Sequence, residues 1–98
     1  MRLMKLITAV VRPFKLDELR YAIAHMGVQG VTVTEVHEIE FGPRCKVEIA
    51  VDDSIADAAL EAIANVARTG RPGDGHITLG DLDEAIRIRT GETGAAAT

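Results

Sequence analysis

The chain has 98 residues and a formal net charge of −4, and it is 47% hydrophobic but only 3% aromatic, with no tryptophan. That length gives one domain with a small core of Val, Ile, Leu and Ala, for which burial against further copies of the chain is the expected remedy. The acidic balance argues against a general nucleic-acid or membrane-surface binder, and one cysteine, Cys45, excludes an internal disulfide or a CxxC metal centre.

The chain opens M-R-L-M-K-L-I-T-A-V-V-R-P, with too few uncharged residues before Arg12 for a signal peptide. Nothing in the sequence approaches a membrane-spanning length, so a cytoplasmic protein without membrane insertion is the simplest expectation. Leu6 to Val11 reads as a strand ended by Arg12-Pro13. Leu16, Leu19, Ile23 and Met26 recur at helical spacing, with Asp17 and Glu18 in the first turn and Gly27 as a stop. Gly30 opens a second strand, V-T-V-T-E-V, which runs raggedly towards a turn at Gly42-Pro43. In C-K-V-E-I-A-V the alternation puts Cys45, Val47, Ile49 and Val51 on one face.

A second helix is expected behind a capping box from Ser54 to Asp57, with Ile55, Ala59, Ile63 and Val66 on its apolar face. It ends before the loop T-G-R-P-G-D-G-H. The strand H-I-T-L, an acidic turn G-D-L-D-E and a short extra strand, A-I-R-I-R, follow. This order, β-α-β-β-α-β with an added C-terminal strand, is the ferredoxin-like α+β plan, two helices on one face of an antiparallel sheet. Residues 1–92 form the expected single domain and 93–98 a disordered tail.

Few residues suggest chemistry on their own. The glycines of T-G-R-P-G-D-G-H can take positive φ and expose successive N–H groups to an anion, but the spacing is not that of a Walker loop. As a bare string it reads first as a structural turn. Arg87 and Arg89 lie two apart in an alternating strand, so both guanidinium groups face one side. They suit either phosphate oxygens or the nearby acids Asp81, Asp83 and Glu84. His25, His37 and His76 have no metal-site spacing, and no catalytic triad can be assembled.

Four stretches in this order, M-K-L-I-T-A-V-V-R-P-F-K-L-D-E-L, G-V-T-V-T-E-V, A-R-T-G-R-P-G-D-G-H and I-R-I-R-T-G-E, resemble the PII signal-transduction proteins, the nitrogen regulatory P-II family. The resemblance implies a non-catalytic homotrimer that binds adenine nucleotides (ADP, AMP or ATP) in clefts between subunits. It would use no prosthetic group and would report energy status to a transporter or enzyme in nitrogen metabolism. Carried over residue by residue, Gly73, Asp74 and Gly75 would line the phosphates by backbone, with Arg87 and Arg89 gripping them by charge. Thr32, beside Gly30 and Val31, would meet the base or ribose, and Val10 and Glu48 would form part of the cleft. His76 stands where the family usually has a phosphate-contacting lysine, which implies weaker, pH-sensitive binding.

The family's long T-loop, between its second and third strands, has no counterpart here. That loop helps to hold nucleotide, Mg²⁺ and 2-oxoglutarate, and in some members carries a modified tyrosine. The only tyrosine here is Tyr21, in the first helix. The resemblance therefore implies a chain that does not respond to 2-oxoglutarate, with Arg44 near a possible small-anion site. An alternative is a regulator of inorganic-carbon (bicarbonate or carboxysome) metabolism. A further alternative is a small structural or metal-tolerance trimer without nucleotide binding. Hydrolysis of ATP is disfavoured, because Asp74 is the only evident carboxylate near the loop.

Overall fold

The computed structural model describes residues 4–28 and 30–82. The arginine pair Arg87 and Arg89, the extra C-terminal strand and the tail 93–98 lie outside the described residues. The elements are β1 (Met4–Val11), a 3-10 turn (Pro13–Lys15), α1 (Leu16–Ala24), β2 (Val31–Glu38), β3 (Gly42–Asp52), α2 (Asp53–Ala67) and β4 (Gly75–Leu82). The sheet order is β2-β3-β1-β4 and every neighbouring pair is antiparallel. Both helices pack on one face. This is the ferredoxin-like α+β fold that the periodicities predict.

The core lies between that face and the helices. Ile7, Ala9 and Val11 of β1 meet Cys45, Val47, Ile49 and Val51 of β3, with Leu19 and Ile23 from α1 and Ala56, Ala59, Ile63 and Ala67 from α2. Strand alternation puts Thr8, Val10, Thr32, Glu48, His76 and Thr78 on the opposite face, which no helix covers.

Three boundaries differ from the sequence expectation. The second helix is capped by Asp52 and not by Ser54: Asp52 Oδ1 accepts from the Ser54 N–H at 2.9 Å, and the helix begins at Asp53. Gly42 and Pro43 begin β3, and the turn is the three residues before them, Ile39 to Phe41. Proline is tolerated there because β1 ends at Val11, opposite Cys45, so β3 has a neighbour on one side only. The acidic turn is also displaced, since Gly80, Asp81 and Leu82 continue β4 against Leu6, Lys5 and Met4. Lys5 Nζ pairs there with Asp81, which raises the lysine pKa and lowers that of the aspartate.

Candidate functional site

The loop between α2 and β4 is closed by one carboxylate. Asp74 Oδ2 accepts from the N–H groups of Thr69 (2.8 Å) and Gly70 (2.9 Å), while Oδ1 accepts from the Thr69 hydroxyl and, at 3.3 Å, from Arg12 Nε. These bonds hold the Asp74 carboxyl well below the usual carboxylate range. The Thr69 hydroxyl contributes most, then the Thr69 N–H, with Gly70 and Arg12 adding to it and desolvation opposing. Asp74 is therefore an internal staple of the loop, a role incompatible with acting as a hydrolytic base.

Within the loop, Pro72 is followed by Gly73 at φ +88, the signature of a type II turn. The Asp74 N–H turns back towards the Arg71 carbonyl to close that turn, while the Gly73 N–H makes no hydrogen bond among the described residues. Two carbonyls in the same stretch are held from outside. Arg12 Nη2 donates to Pro72 O at 2.9 Å and Arg44 Nη2 to Gly73 O at 3.0 Å. Glycine is required at both 73 and 75. A Cβ on Gly73 would stand 2.8 Å from Phe41 Cδ1, and one on Gly75 would stand 1.8 Å from Val10 O.

The β2–β3 turn completes the surroundings. Glu38 and Phe41 join Arg71, Gly73, Asp74 and His76 around a cleft of about 310 Å³. Arg44 is only 6% exposed, and its guanidinium carbon lies 5.5 Å from the Phe41 ring centre. The Glu38 carboxylate stands 3.2 Å from Arg44 Nε, off the N–H direction, so this contact is an ion pair and not a hydrogen bond. Nη1 donates to Pro43 O at 2.9 Å. All three nitrogens of Arg44 thus face protein oxygens, which does not favour a small anion on this side chain.

The residues that sequence reasoning singled out fall into two groups. Val10 pairs with His76, and Val11 with Gly75, so Val10, His76 and the glycine loop sit together at one end of β1 and β4. Thr32 pairs with Glu48, and Gly30 and Val31 lie beside them at the opposite end of the edge strand β2. From strand spacing and rise, Gly30 and Gly75 stand about 20 Å apart, at diagonal corners of the sheet. Arg12, Thr69, Glu38 and Phe41 were not singled out. A charge closing an apolar strand (Arg12) and opposite charges flanking a turn (Glu38 and Arg44) were the available signals.

Among the described residues no group of His, Cys, Asp or Glu could hold a metal ion, and no helix is long and apolar enough to cross a membrane. Residues 4–92 match the family model described as nitrogen regulatory protein P-II. Nitrogen regulatory proteins P-II of Rhizobium meliloti and Rhodospirillum rubrum are 44% and 41% identical to this chain, each over 96% of it and 99% of the relative. Both alignments span 111 positions, more than the 98 residues here, so the relatives carry residues without a counterpart. A solved structure of Arabidopsis thaliana PII bound to citrate is 34% identical, with a TM-score of 0.88 over 96% of this chain and 88% of that one. With the fold, the glycine loop and nearly the whole sequence in agreement, the chain belongs to the nitrogen regulatory protein P-II family of non-catalytic signalling regulators.

Proposed function

We propose that the chain assembles as a homotrimer and binds adenine nucleotides between neighbouring copies, reporting adenylate state to a transporter or enzyme of nitrogen metabolism in the cytoplasm. The observation that carries this reading is the separation of the two residue groups. A nucleotide whose phosphates sit on Gly73–Gly75 cannot also lie in contact with Gly30 and Thr32 of the same chain, about 20 Å away. A head-to-tail ring brings the glycine loop of one copy against the β2 corner of the next, and a closed ring leaves neither corner unused.

The chemistry of the loop supports the phosphate end of this assignment. The Gly73 N–H lacks a partner among the described residues, and the Asp74 carboxylate is directed to internal bonds with Thr69, Gly70 and Arg12. Arg87 and Arg89 join the site on the strength of the family resemblance. The whole domain, residues 1–92, takes part in the assembly.

The test is complementation between half-sites. A Thr32→Ala, Glu48→Ala double variant lacks one half and Gly73→Val the other, so each alone loses ADP binding by calorimetry. Co-expressed, they form mixed rings in which about one quarter of the clefts draw both halves from intact corners. Mixed trimers that regain no ADP binding would overturn the shared cleft, and a native chain that binds no adenine nucleotide would overturn the ligand.

A further inference from the structure

Gly73 has no side chain, and the space where one would stand is filled from outside the loop. A Cβ there would lie 2.8 Å from Phe41 Cδ1, 3.0 Å from Phe41 Cε1 and 3.1 Å from Arg44 Nη2. Both neighbours come from the β2–β3 hairpin, Phe41 from its turn and Arg44 from the start of β3. The contact also has a polar half. Arg44 Nη2 donates to Gly73 O at 3.0 Å, and Arg44 Nε faces the Glu38 carboxylate at 3.2 Å within the same hairpin. With the Arg44 guanidinium carbon 5.5 Å from the Phe41 ring centre, ring, guanidinium and Gly73 pack as one group.

Little else holds either segment. β1 ends at Val11, opposite Cys45, so the ladder from Val36 to Arg44 has no third strand beside it. The core stops at Cys45 in β3 and at Ala67 in α2. Beyond those points Ile39 is fully solvent-exposed and Phe41 is 40% exposed. Segments with so few buried apolar contacts open without the core. The glycine loop has one more tie, from Arg12, whose side chain donates to Pro72 O at 2.9 Å and to Asp74 Oδ1 at 3.3 Å.

We infer that Gly73 is the notch of an internal latch, into which Phe41 and Arg44 close, so that the hairpin tip (36–44) and the glycine loop (69–75) open and close as one unit separate from the core. The glycine at 73 is then explained by a protein contact, and the inference does not depend on the nucleotide reading above. A shared opening equilibrium makes the two segments reciprocal: whatever holds one closed stabilises the other by the same amount.

The experiment is amide hydrogen exchange by mass spectrometry on the full chain without added ligand, in the native protein and in R12A, E38Q and G73A. Among the described hydrogen bonds, the Arg12 side chain reaches only the loop, and the Glu38–Arg44 ion pair lies within the hairpin. R12A should speed exchange about tenfold or more in 69–75, as expected for loss of bonds from a charged donor, and by a similar factor in 36–44. E38Q should give smaller factors, again equal in the two segments. G73A, whose Cβ drives Phe41 out of the notch, should expose both segments, and in all three variants 4–11 and 45–51 keep native protection. If R12A fails to fold, E38Q, which alters only a partly exposed ion pair, carries the comparison. Acceleration confined to the substituted segment, or absent from both, would overturn the inference, as would a G73A chain with a natively protected hairpin.

Discussion

Two glycines of the same loop have positive φ for different physical reasons. Gly70, at φ +83, has nothing within 4 Å of where a Cβ would stand, so only backbone preference is at stake. Gly75, at φ +104, lies against β1 with Val10 O in the Cβ position. Gly70→Ala should therefore cost about 1 kcal/mol, the ordinary left-handed penalty. Gly75→Ala adds a steric clash to strain and should cost about 3 kcal/mol or more, since β1 and β4 must separate. Urea melts of the two variants check the order. Asp74 makes a pH prediction. Its folded pKa is depressed, so its contribution is complete above the ordinary carboxylate value of 3.8 and is lost as pH falls through the folded value. The stability gap between the native chain and Asp74→Asn should be constant near neutrality and narrow below about pH 4. A gap that widens on acidification contradicts the staple.

At the scale of elements, α2 is fixed by a small-residue face. Ala56, Ala59 and Ala67 let the helix approach the sheet, and Ile63, with no exposed surface, supplies the largest side chain on that face. Ile63→Ala should cost about 3 kcal/mol, because the aliphatic core has no aromatic neighbour to relax into the cavity. Asp52→Ala, which removes the N-cap acceptor, should cost about 1 kcal/mol. Thermal melts should place the first variant well below the second, by roughly 4–8 °C per kcal/mol in a domain of this size. The β2–β3 hairpin behaves differently. Its β3 strand is held in the core by Cys45, Val47, Ile49 and Val51, whereas its tip is tied to the glycine loop by the Arg44 bridge.

For the whole molecule, the unhelical sheet face is mixed, with Val10 buried beside Lys46, Thr34 and His76. Turned inward in a three-fold ring, it would supply the burial that a small aliphatic core lacks. Light scattering at micromolar concentration should give a trimer, and a folded monomer would contradict the assembly. The same architecture predicts that 2-oxoglutarate will not tighten Mg²⁺-ATP binding. Coupling two ligands requires an element that contacts both, and the three residues Ile39 to Phe41 offer no amide side chain and little backbone to complete a metal shell. A tenfold enhancement in a titration would show that another segment supplies those ligands.

The sequence by itself determined the elements that periodicity can express. Alternation in Cys45–Val51 and helical spacing in Leu16–Ile23 follow from which side chains must leave water, and no distant partner is needed to read them. The quoted glycine loop was visible as a loop for the same local reason, and the family resemblance gave it a ligand. Boundaries that depend on a partner strand were not legible: Gly80 to Leu82 look like a turn until Lys5 stands opposite Asp81. Only the tertiary structure decided that Asp74 turns its carboxylate inward, and that Arg12 and Arg44, 60 and 29 residues away, grip the loop's carbonyls. It also decided that the two residue groups occupy opposite corners of one sheet. Such facts arise from strand order and register, which bring together residues far apart in sequence, and no short stretch of the chain encodes them.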